Sequence, residues 1–373
     1  MRLTLNIAFV LLAISCISQR DKAESRQIDV ELNYNIHTQL ILEHFAWPGK
    51  YPTRPMIVAS AEHFDKFKDH PAVLFSDSLL RNEVFYSDEL MEVLLYSEPL
   101  PKTGYKYSLK NTPYENRIDL IDKWKEKVAE FYIDADVKGF LESNKEFYDG
   151  AIDEIVINLP SNDFIDQMES FYKDKKLKYT IIPAPEMQTG DQRGVGPYVR
   201  TKDGMLVYQI ISASQPIDEL SRLSDYQQFG FNDRNYILTN ARHEFGHAFV
   251  NPLLEKVVIT ELINKYEGLF TPKLRNVMEN QNYGTWWDCV AEHFVRLGEI
   301  RIAERSGDIS LSANLRLEYK DNKKFIFLPE LEQRIKEYES NTKYQTFDNY
   351  LPDLIKTFDS FSAQEVDKRL EKN

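Results

Sequence analysis

The sequence lacks several features that would assign it to a specialised class of protein. It has no internal repeat, which excludes a solenoid, and no Gly/Ser- or Pro-rich stretch that would mark a linker between two domains. It also has no long block of one charge sign. The formal net charge is −13, and an acidic surface of this kind repels phosphate backbones. We therefore expect no nucleic-acid partner.

Cysteine is almost absent, and one of the two cysteines ends a leader-like segment. The first residues, MRLTLNIAFVLLAISC, have a basic start and an apolar run too short to span a bilayer, as in a secretory signal. The ending LAISC resembles a bacterial lipobox, in which the cysteine becomes the lipidated N-terminus. Ordinary cleavage and an uncleaved anchor are the alternatives. If Cys16 carries lipid, Cys289 is alone, no intrachain disulfide forms, and Cys289 is expected to be a buried apolar residue.

The remainder of the chain is typical of one folded unit. A hydrophobic fraction of 42% and an aromatic fraction of 13% fit a globular protein. Apolar residues at three- and four-residue spacing predict helices before and after a central segment. The predicted organisation is a signal segment at 1–16, a polar tether at 17–28 and a single unit at 29–373, with helices at 29–175, a sheet and one motif-bearing helix at 176–251, and helices at 252–373.

Two short runs in the central segment predict a small sheet. KYTIIPAP is rich in β-branched residues and bounded by prolines. PYVRTKDGMLVYQI contains two β-prone runs around Asp203-Gly204, which is a strong hairpin signal. The expected fold class is therefore α+β, mainly helical, with a small antiparallel-containing sheet beside the motif helix.

The stretch ARHEFGHAFVNP carries a metal-binding type of spacing. His243 and His247 lie one helical turn apart, so both imidazoles can reach one ion, and Glu244 can approach a water held there without binding the ion. The alternative is a pair of packed or exposed helix histidines. The apolar stripe of this helix falls on a different face and comprises Leu238, Ala241, Phe245 and Ala248.

The sequence also predicts where the motif helix begins and ends. Asn232 or Asp233 is expected to cap its start. Asn251-Pro252 is typical of a cap followed by the first residue of a new helix, so we expect the motif helix to end just past His247.

Two neutral imidazoles and one carboxylate leave a fourth position of a zinc ion open for water. A nearby carboxylate, here Glu244, then takes the proton of that water and passes it to the leaving amine. The pattern therefore predicts one Zn²⁺ per chain and hydrolysis of a peptide bond without a covalent intermediate.

The third ligand is not adjacent to the motif. Metzincins need a glycine and a histidine at positions that hold Val250 and Leu253, so we expect a glutamate from a later helix. Glu292, in GTWWDCVAEHFVRLGEIR, lies 45 residues after His247 on a helix that Thr285 and Asp288 begin as a capping box. It shares one face with Asp288, Arg296 and Glu299, a row that otherwise indicates a solvated charged face. Other candidate ligands are His293, Glu255, Glu261 and Asp288.

The segments HEFGHAFVNP, AEHFVR and DHPAV resemble an uncharacterised family of bacterial lipoproteins that carry a domain of unknown function with an HEFGH core. More broadly, the chain is similar to gluzincin-type zincins. That resemblance implies His243, His247 and Glu292 as metal ligands and Glu244 as general base. It also implies a zincin-like unit in which an edge strand, within Gly196 to Ile210, pairs with an extended peptide.

Residues that support the ligands are less defined by the sequence. Thermolysin-like enzymes usually have an aspartate where this chain has Arg296, one turn after Glu292. Arg296 either orients Glu292 or forms a surface salt bridge. Tyr283 and His293 lie near Glu292 in sequence and are the other candidates for supporting roles.

We expect an exported zinc metallopeptidase that acts on a peptide or protein and is held to the membrane by an N-terminal lipid. Its predicted location is the cell envelope, facing the periplasm or the surface, with the outer membrane favoured. One alternative is a non-catalytic envelope lipoprotein that binds a protein or glycan. Another is a zinc amidase acting on peptidoglycan peptides.

Overall fold

The protein is described from a computed structural model. The structure describes residues 27–46, 54–187, 194–215, 217 and 222–371. The predicted signal segment, its Cys16 and all but the last two residues of the predicted tether lie outside the described residues. Within the described ranges, no helix combines the length and the apolar character needed to cross a membrane.

The first part of the described chain is helical, as its periodicity predicts. Pro71 begins one of these helices, and the His70 side chain caps it by accepting from the Ala72 N–H at 3.1 Å. The helices are α1 (Tyr34–Ala46), α2 (Pro55–Phe64), α3 (Pro71–Arg81), α4 (Ser87–Tyr96), α5 (Ile118–Asp134), α6 (Val137–Ser143), α7 (Lys145–Ile157) and α8 (Phe164–Tyr172).

Five strands in the described residues form one mixed sheet. In space they follow the order β1-β2-β5-β3, and β4 also pairs with β5. β1, β2 and β5 are parallel, whereas β3 and β4 run antiparallel to β5. The predicted hairpin is confirmed, since Thr201 pairs with Gly204 across its turn. The strands are β1 (Ile28–Val30), β2 (Lys178–Pro183), β3 (Gly194–Val195), β4 (Tyr198–Thr201) and β5 (Gly204–Ile211).

The last part of the described chain is again helical. The helices are interrupted at Ser306–Asp308 and again near Phe325, and a short π-helix lies at Glu318–Asn322. The helices are α9 (Arg234–Leu254), α10 (Val257–Asn264), α11 (Pro272–Glu279), α12 (Trp286–Arg305), α13 (Ile309–Leu317), α14 (Leu328–Ser340), α15 (Phe347–Ile355) and α16 (Ala363–Glu371). Helix of all types accounts for 64% of the described residues, so the α+β, mainly helical class is confirmed.

The sheet separates two groups of helices because side chains of a strand alternate between its faces. We call α1–α6 the N-terminal layer and α8–α16 the C-terminal layer; α7 contributes to both. One face of the sheet packs into the C-terminal layer through Tyr179, Ile181, Val207 and Ile211. The opposite face packs into the N-terminal layer through Ile182, Val199, Leu206 and Ile210.

Helix α9 is longer than the sequence predicts. Asp233 caps it as expected, accepting from the Tyr236 N–H at 3.0 Å. The expected end just past His247 is wrong, because α9 continues through Pro252 to Leu254. Pro252 lies in the last turn, where its missing N–H removes one helical hydrogen bond but does not stop the helix.

Glycines allow α9, α12 and α8 to approach one another closely. A Cβ at Gly246 of α9 would lie 3.1 Å from Val295 Cγ1 of α12. A Cβ at Gly298 of α12 would lie 2.1 Å from the Tyr172 hydroxyl of α8, which no side chain could tolerate. Close helix packing therefore explains the glycine inside the His-Glu-x-x-His motif.

Candidate metal centre

Helix α9 brings two imidazoles to one point. His243 Nε2 and His247 Nε2 lie 3.3 Å apart, as expected for side chains one turn apart on one face. The nearest ligand-type atoms of His243, Glu244 and His247 all lie within 4.8 Å of one another. Both histidine side chains are mostly buried, with 13% and 14% exposed.

Helix α12 supplies a carboxylate to the same point. Thr285 and Asp288 form the expected capping box, and Glu292 follows one turn later. Glu292 Oε1 lies 3.3 Å from His247 Nε2, and Glu292 Oε2 lies 3.7 Å from His243 Nε2. The structure thus brings His243, His247 and Glu292 together.

This donor set fits a zinc ion. Two imidazole nitrogens and one carboxylate are the protein ligands of a zinc site that keeps one position open. Glu292 Oε2 is buried and accepts no hydrogen bond, and its ion-pair partner is the Arg296 guanidinium at 3.4 Å. Burial alone would raise the pKa of Glu292, but His243, His247 and Arg296 lower it well below its usual range. The carboxylate is therefore ionised and able to bind a cation.

Glu244 lies beside the two histidines, with a carboxylate oxygen within 4.8 Å of both of their ligand-type nitrogens. Its side chain is buried, and burial raises its pKa, while the neighbouring histidines act in the opposite direction. A carboxylate with a raised pKa can accept a proton during a reaction and release it again. This is the environment that a general base requires.

A second carboxylate on α12 contacts the outer ring nitrogen of His243, one of the candidate ligands. Glu299 Oε1 lies 2.8 Å from His243 Nδ1, and the Tyr319 hydroxyl in the π-helix donates to the other carboxylate oxygen. A carboxylate on the outer nitrogen fixes the tautomer and the orientation of a ligand histidine. The sequence placed Glu299 on the face of Glu292 but gave it no role. Its spacing of two turns past Glu292 was the available signal.

The other ligand histidine has an amide partner. His247 Nδ1 lies 3.3 Å from Asn251 Oδ1. Asn251 reaches His247 because α9 does not end before Pro252. The sequence assigned Asn251 to a cap, so this contact was missed together with the length of the helix.

Arg296 is buried beside the ligands and is not a surface residue, since only 16% of its side chain is exposed. Its guanidinium lies 3.4 Å from Glu292 Oε2 and 3.3 Å from Glu299 Oε1. It also donates to the Tyr283 hydroxyl at 3.3 Å. Arg296 and Tyr283 therefore lie in contact with the metal-ligand carboxylate or its supports, and burial raises the pKa of Tyr283 so that it keeps its proton.

His293 lies elsewhere. Its Nδ1 donates to the Cys289 carbonyl at 2.6 Å, and its Nε2 accepts from the Phe327 N–H at 3.4 Å. Burial lowers the pKa of His293 to about 4, so the ring is neutral and packs in the core. The structure does not bring it to the centre. Cys289 beside it is also buried, and burial raises the pKa of its thiol well above the usual range.

The outer strand of the sheet lies directly against Glu244. A Cβ at Gly194 would lie 3.0 Å from Glu244 Oε1, and a Cβ at Gly196 would lie 2.3 Å from the Glu244 carbonyl oxygen. The run Gly-Val-Gly is therefore required for β3 to reach the metal centre. β3 and β4 are the edge on the far side of β5, and β5 itself is internal.

The chain was compared with protein families, curated proteins and solved structures. Residues 49–357 match the model of a domain of unknown function, DUF4932. No curated protein and no solved structure matches the chain. Because the matched range covers most of its length, the chain belongs to the DUF4932 family.

Proposed function

We propose that this protein is a zinc-dependent metallopeptidase with a gluzincin-like centre. The observation that carries the proposal is the convergence of His243, His247 and Glu292 at one point with Glu244 buried beside it. Two helices far apart in sequence supply these residues. A pair of packed histidines would not require a buried carboxylate from a second helix that faces both rings.

The surroundings support a zincin-like unit. The motif helix α9 lies under a small sheet whose antiparallel edge strand passes over Glu244, and a later helix supplies Glu292. A carboxylate behind a ligand histidine is a frequent feature of zinc sites. Here Glu299 takes that position, and Arg296 replaces the aspartate of thermolysin-like enzymes.

The chemistry follows from the positions of the side chains. A Zn²⁺ ion held by His243, His247 and Glu292 would lower the pKa of a water to about 7 and polarise a carbonyl. Glu244 would take a proton from the water while the water oxygen attacks the carbonyl carbon of the peptide bond. The C–N bond would then break, and Glu244 would give the proton to the amine nitrogen. One water is consumed, and the products are a carboxylic acid and an amine, which become a carboxylate and an ammonium at neutral pH.

The leader segment supports a separate proposal, that the protein is anchored to a membrane. Cys16 and the sequence before it would export the chain and attach it through lipid to the cell envelope. The substrate would then be a peptide or protein outside the cytoplasm.

Zinc content of the purified protein tests the centre. We expect about one zinc per chain, retained in His63→Ala, whose ring is exposed, and lost in His247→Ala. Absence of zinc from the unaltered protein, even after zinc is supplied, would refute the metal centre and favour a non-catalytic lipoprotein.

Hydrolysis by Glu244→Gln tests the reaction. The variant should keep its zinc and cleave a panel of peptides, proteins and peptidoglycan peptides about 10²- to 10⁴-fold more slowly than the unaltered protein. Glu126→Gln, at an exposed position of α5, is the matched control and should be unaffected. Equal rates for Glu244→Gln and the unaltered protein would rule out Glu244 as the base.

A further inference from the structure

The outer edge of the sheet is formed by β3 as its first half and β4 as its second half, and the two halves differ in what covers them. β3 and β4 share one register along β5, since Gly194 pairs with Ile211 and Tyr198 with Val207. The Tyr208 N–H donates to the Pro197 carbonyl at 3.0 Å, so residue 197 faces β5. Because the backbone groups of successive residues alternate in direction, the N–H and C=O groups point away from the sheet at residues 194, 196, 198 and 200.

Helix α4 covers the second half of this edge. The Glu92 carboxylate accepts the Tyr198 N–H, and the Tyr96 hydroxyl accepts the Arg200 N–H at 2.8 Å. Glu92 and Tyr96 are one helical turn apart, a spacing of about 6 Å that matches two residues of a strand. β4 therefore cannot accept a further strand.

Within the part of the chain that the structure describes, no residue pairs with the outer side of the first half of the edge, where it meets the centre. Among the described residues, no hydrogen bond holds the outward groups of Gly194 and Gly196. These are the residues that lie against Glu244. An extended peptide can pair with them, but it meets Glu92 where Tyr198 begins. The Glu244 carboxylate lies by Gly194, four residues before Tyr198, and four residues of extended chain span only about 13 Å.

The closed end of the edge brings two glutamates, Glu92 and Glu255, together with one cation, Arg200. Tyr198 and Arg200 both donate to Glu255, the first residue after α9. Burial raises the pKa of Glu92 well above its usual range, and repulsion from Glu255 and Asp88 adds to this, with Arg200 as the opposing cation. A cation placed here would relieve the repulsion, whereas a peptide carboxylate would increase it.

We propose that the protein is an N-terminal exopeptidase, in which Glu92 and Glu255 receive the free α-ammonium of the substrate at the closed end of the edge strand. The inference rests on the proposed metallopeptidase function and adds the class of its substrate. Water is added across a peptide bond within about four residues of the amino end, which releases that short fragment and a shortened peptide with a new amine.

The test uses the zinc-loaded full chain and three versions of one peptide: unmodified, N-acetylated, and amidated at its C-terminus. Mass spectrometry should show the unmodified and amidated peptides shortened from the amino end, and the acetylated peptide cleaved at least about tenfold more slowly. Internal cleavage of the acetylated peptide at the same rate would overturn the exopeptidase inference and leave the metallopeptidase proposal intact. No cleavage of any peptide by the zinc-loaded protein would overturn both.

Binding to a hydrolysis-deficient form gives a second measurement. Calorimetry on zinc-loaded Glu244→Gln should show about tenfold or greater preference for the unmodified over the acetylated peptide. Adding Glu92→Gln, which keeps an acceptor for the Tyr198 N–H, should remove most of that preference. Glu126→Gln in the same background is the control and should leave it unchanged. A preference that survives Glu92→Gln would overturn the assignment of the ammonium to Glu92.

Discussion

Two buried clusters of the molecule have the same three kinds of side chain in the same arrangement. In each, a glutamate lies within 2.9 Å of a histidine Nδ1, and a tyrosine hydroxyl donates to its other oxygen. One cluster joins the N-terminal layer to the end of β2, and the other lies in the C-terminal layer. The first consists of His37, Glu186 and Tyr148, and the second of His243, Glu299 and Tyr319.

The clusters differ at the other imidazole nitrogen. His37 Nε2 is buried without a hydrogen bond, and no third metal-ligating side chain converges there among the described residues. His243 Nε2 instead faces His247 at 3.3 Å and Glu292 at 3.7 Å. A glutamate and a tyrosine therefore only fix the orientation of a histidine. A second histidine one turn away and a carboxylate on a facing helix are what distinguish the proposed metal centre.

Removal of either histidine should give the largest contrast. His243→Ala should abolish zinc binding, because it leaves two ligands. His37→Ala should keep about one zinc per chain and lower the free energy of unfolding by roughly 2 to 4 kcal/mol, since it leaves Glu186 buried without its partner. Zinc analysis and urea unfolding of both variants measure the two effects. Loss of zinc in His37→Ala at a temperature where it stays folded would contradict the comparison.

Removal of zinc with a chelator should lower the stability of the His37→Ala variant but not that of the His243→Ala variant. With free zinc at 100 times its dissociation constant, removing zinc should lower the free energy of unfolding by about 2.7 kcal/mol. His37→Ala should lose the same increment, whereas His243→Ala should lose none. Thermal unfolding with and without a chelator is the measurement, and an equal shift in His243→Ala would place the zinc elsewhere.

The two glutamates should differ in what they support. Glu299→Gln weakens the hold on His243 Nδ1, so zinc affinity should fall about 10- to 100-fold. Glu186→Gln makes the same chemical change in the other cluster and should leave zinc affinity unchanged. Competition with a zinc-binding dye measures both, and equal affinities would show that Glu299 does not orient the ligand.

The smallest contrast concerns the hydroxyl groups. Tyr319→Phe and Tyr148→Phe each remove one buried hydrogen bond to a carboxylate, so each should lower the free energy of unfolding by about 1 to 2 kcal/mol. Only Tyr319→Phe should also weaken zinc binding, by a few-fold at most. A large loss of zinc in Tyr148→Phe would mean that the two layers are coupled.

The sequence predicts those features that depend on neighbouring residues. The spacing of His243 and His247, the Asp233 cap and the Thr285–Asp288 capping box are all local, and the structure has them as expected. The hairpin at Asp203-Gly204 is local as well. Each of these features depends only on residues within one helix or one turn.

Features that depend on distant contacts were missed. β1 is three residues long and is a strand only because it pairs with β2, about 150 residues later. Glu299 acquires its role from His243 on another helix, and Asn251 from an α9 that continues through a proline. His293 shows the converse, since its closeness to Glu292 in sequence does not place it in the centre.

The packing of Gly246 and Gly298 has a consequence for protein design. The ligands come from two helices, and Tyr172 on a third helix packs against Gly298 and lies close to Gly246. Grafting only the histidines and Glu292 onto another helical pair would therefore not reproduce the distances between them. A transplanted centre would also need both glycines, with Val295 and Tyr172 as the residues that set the separation of the helices.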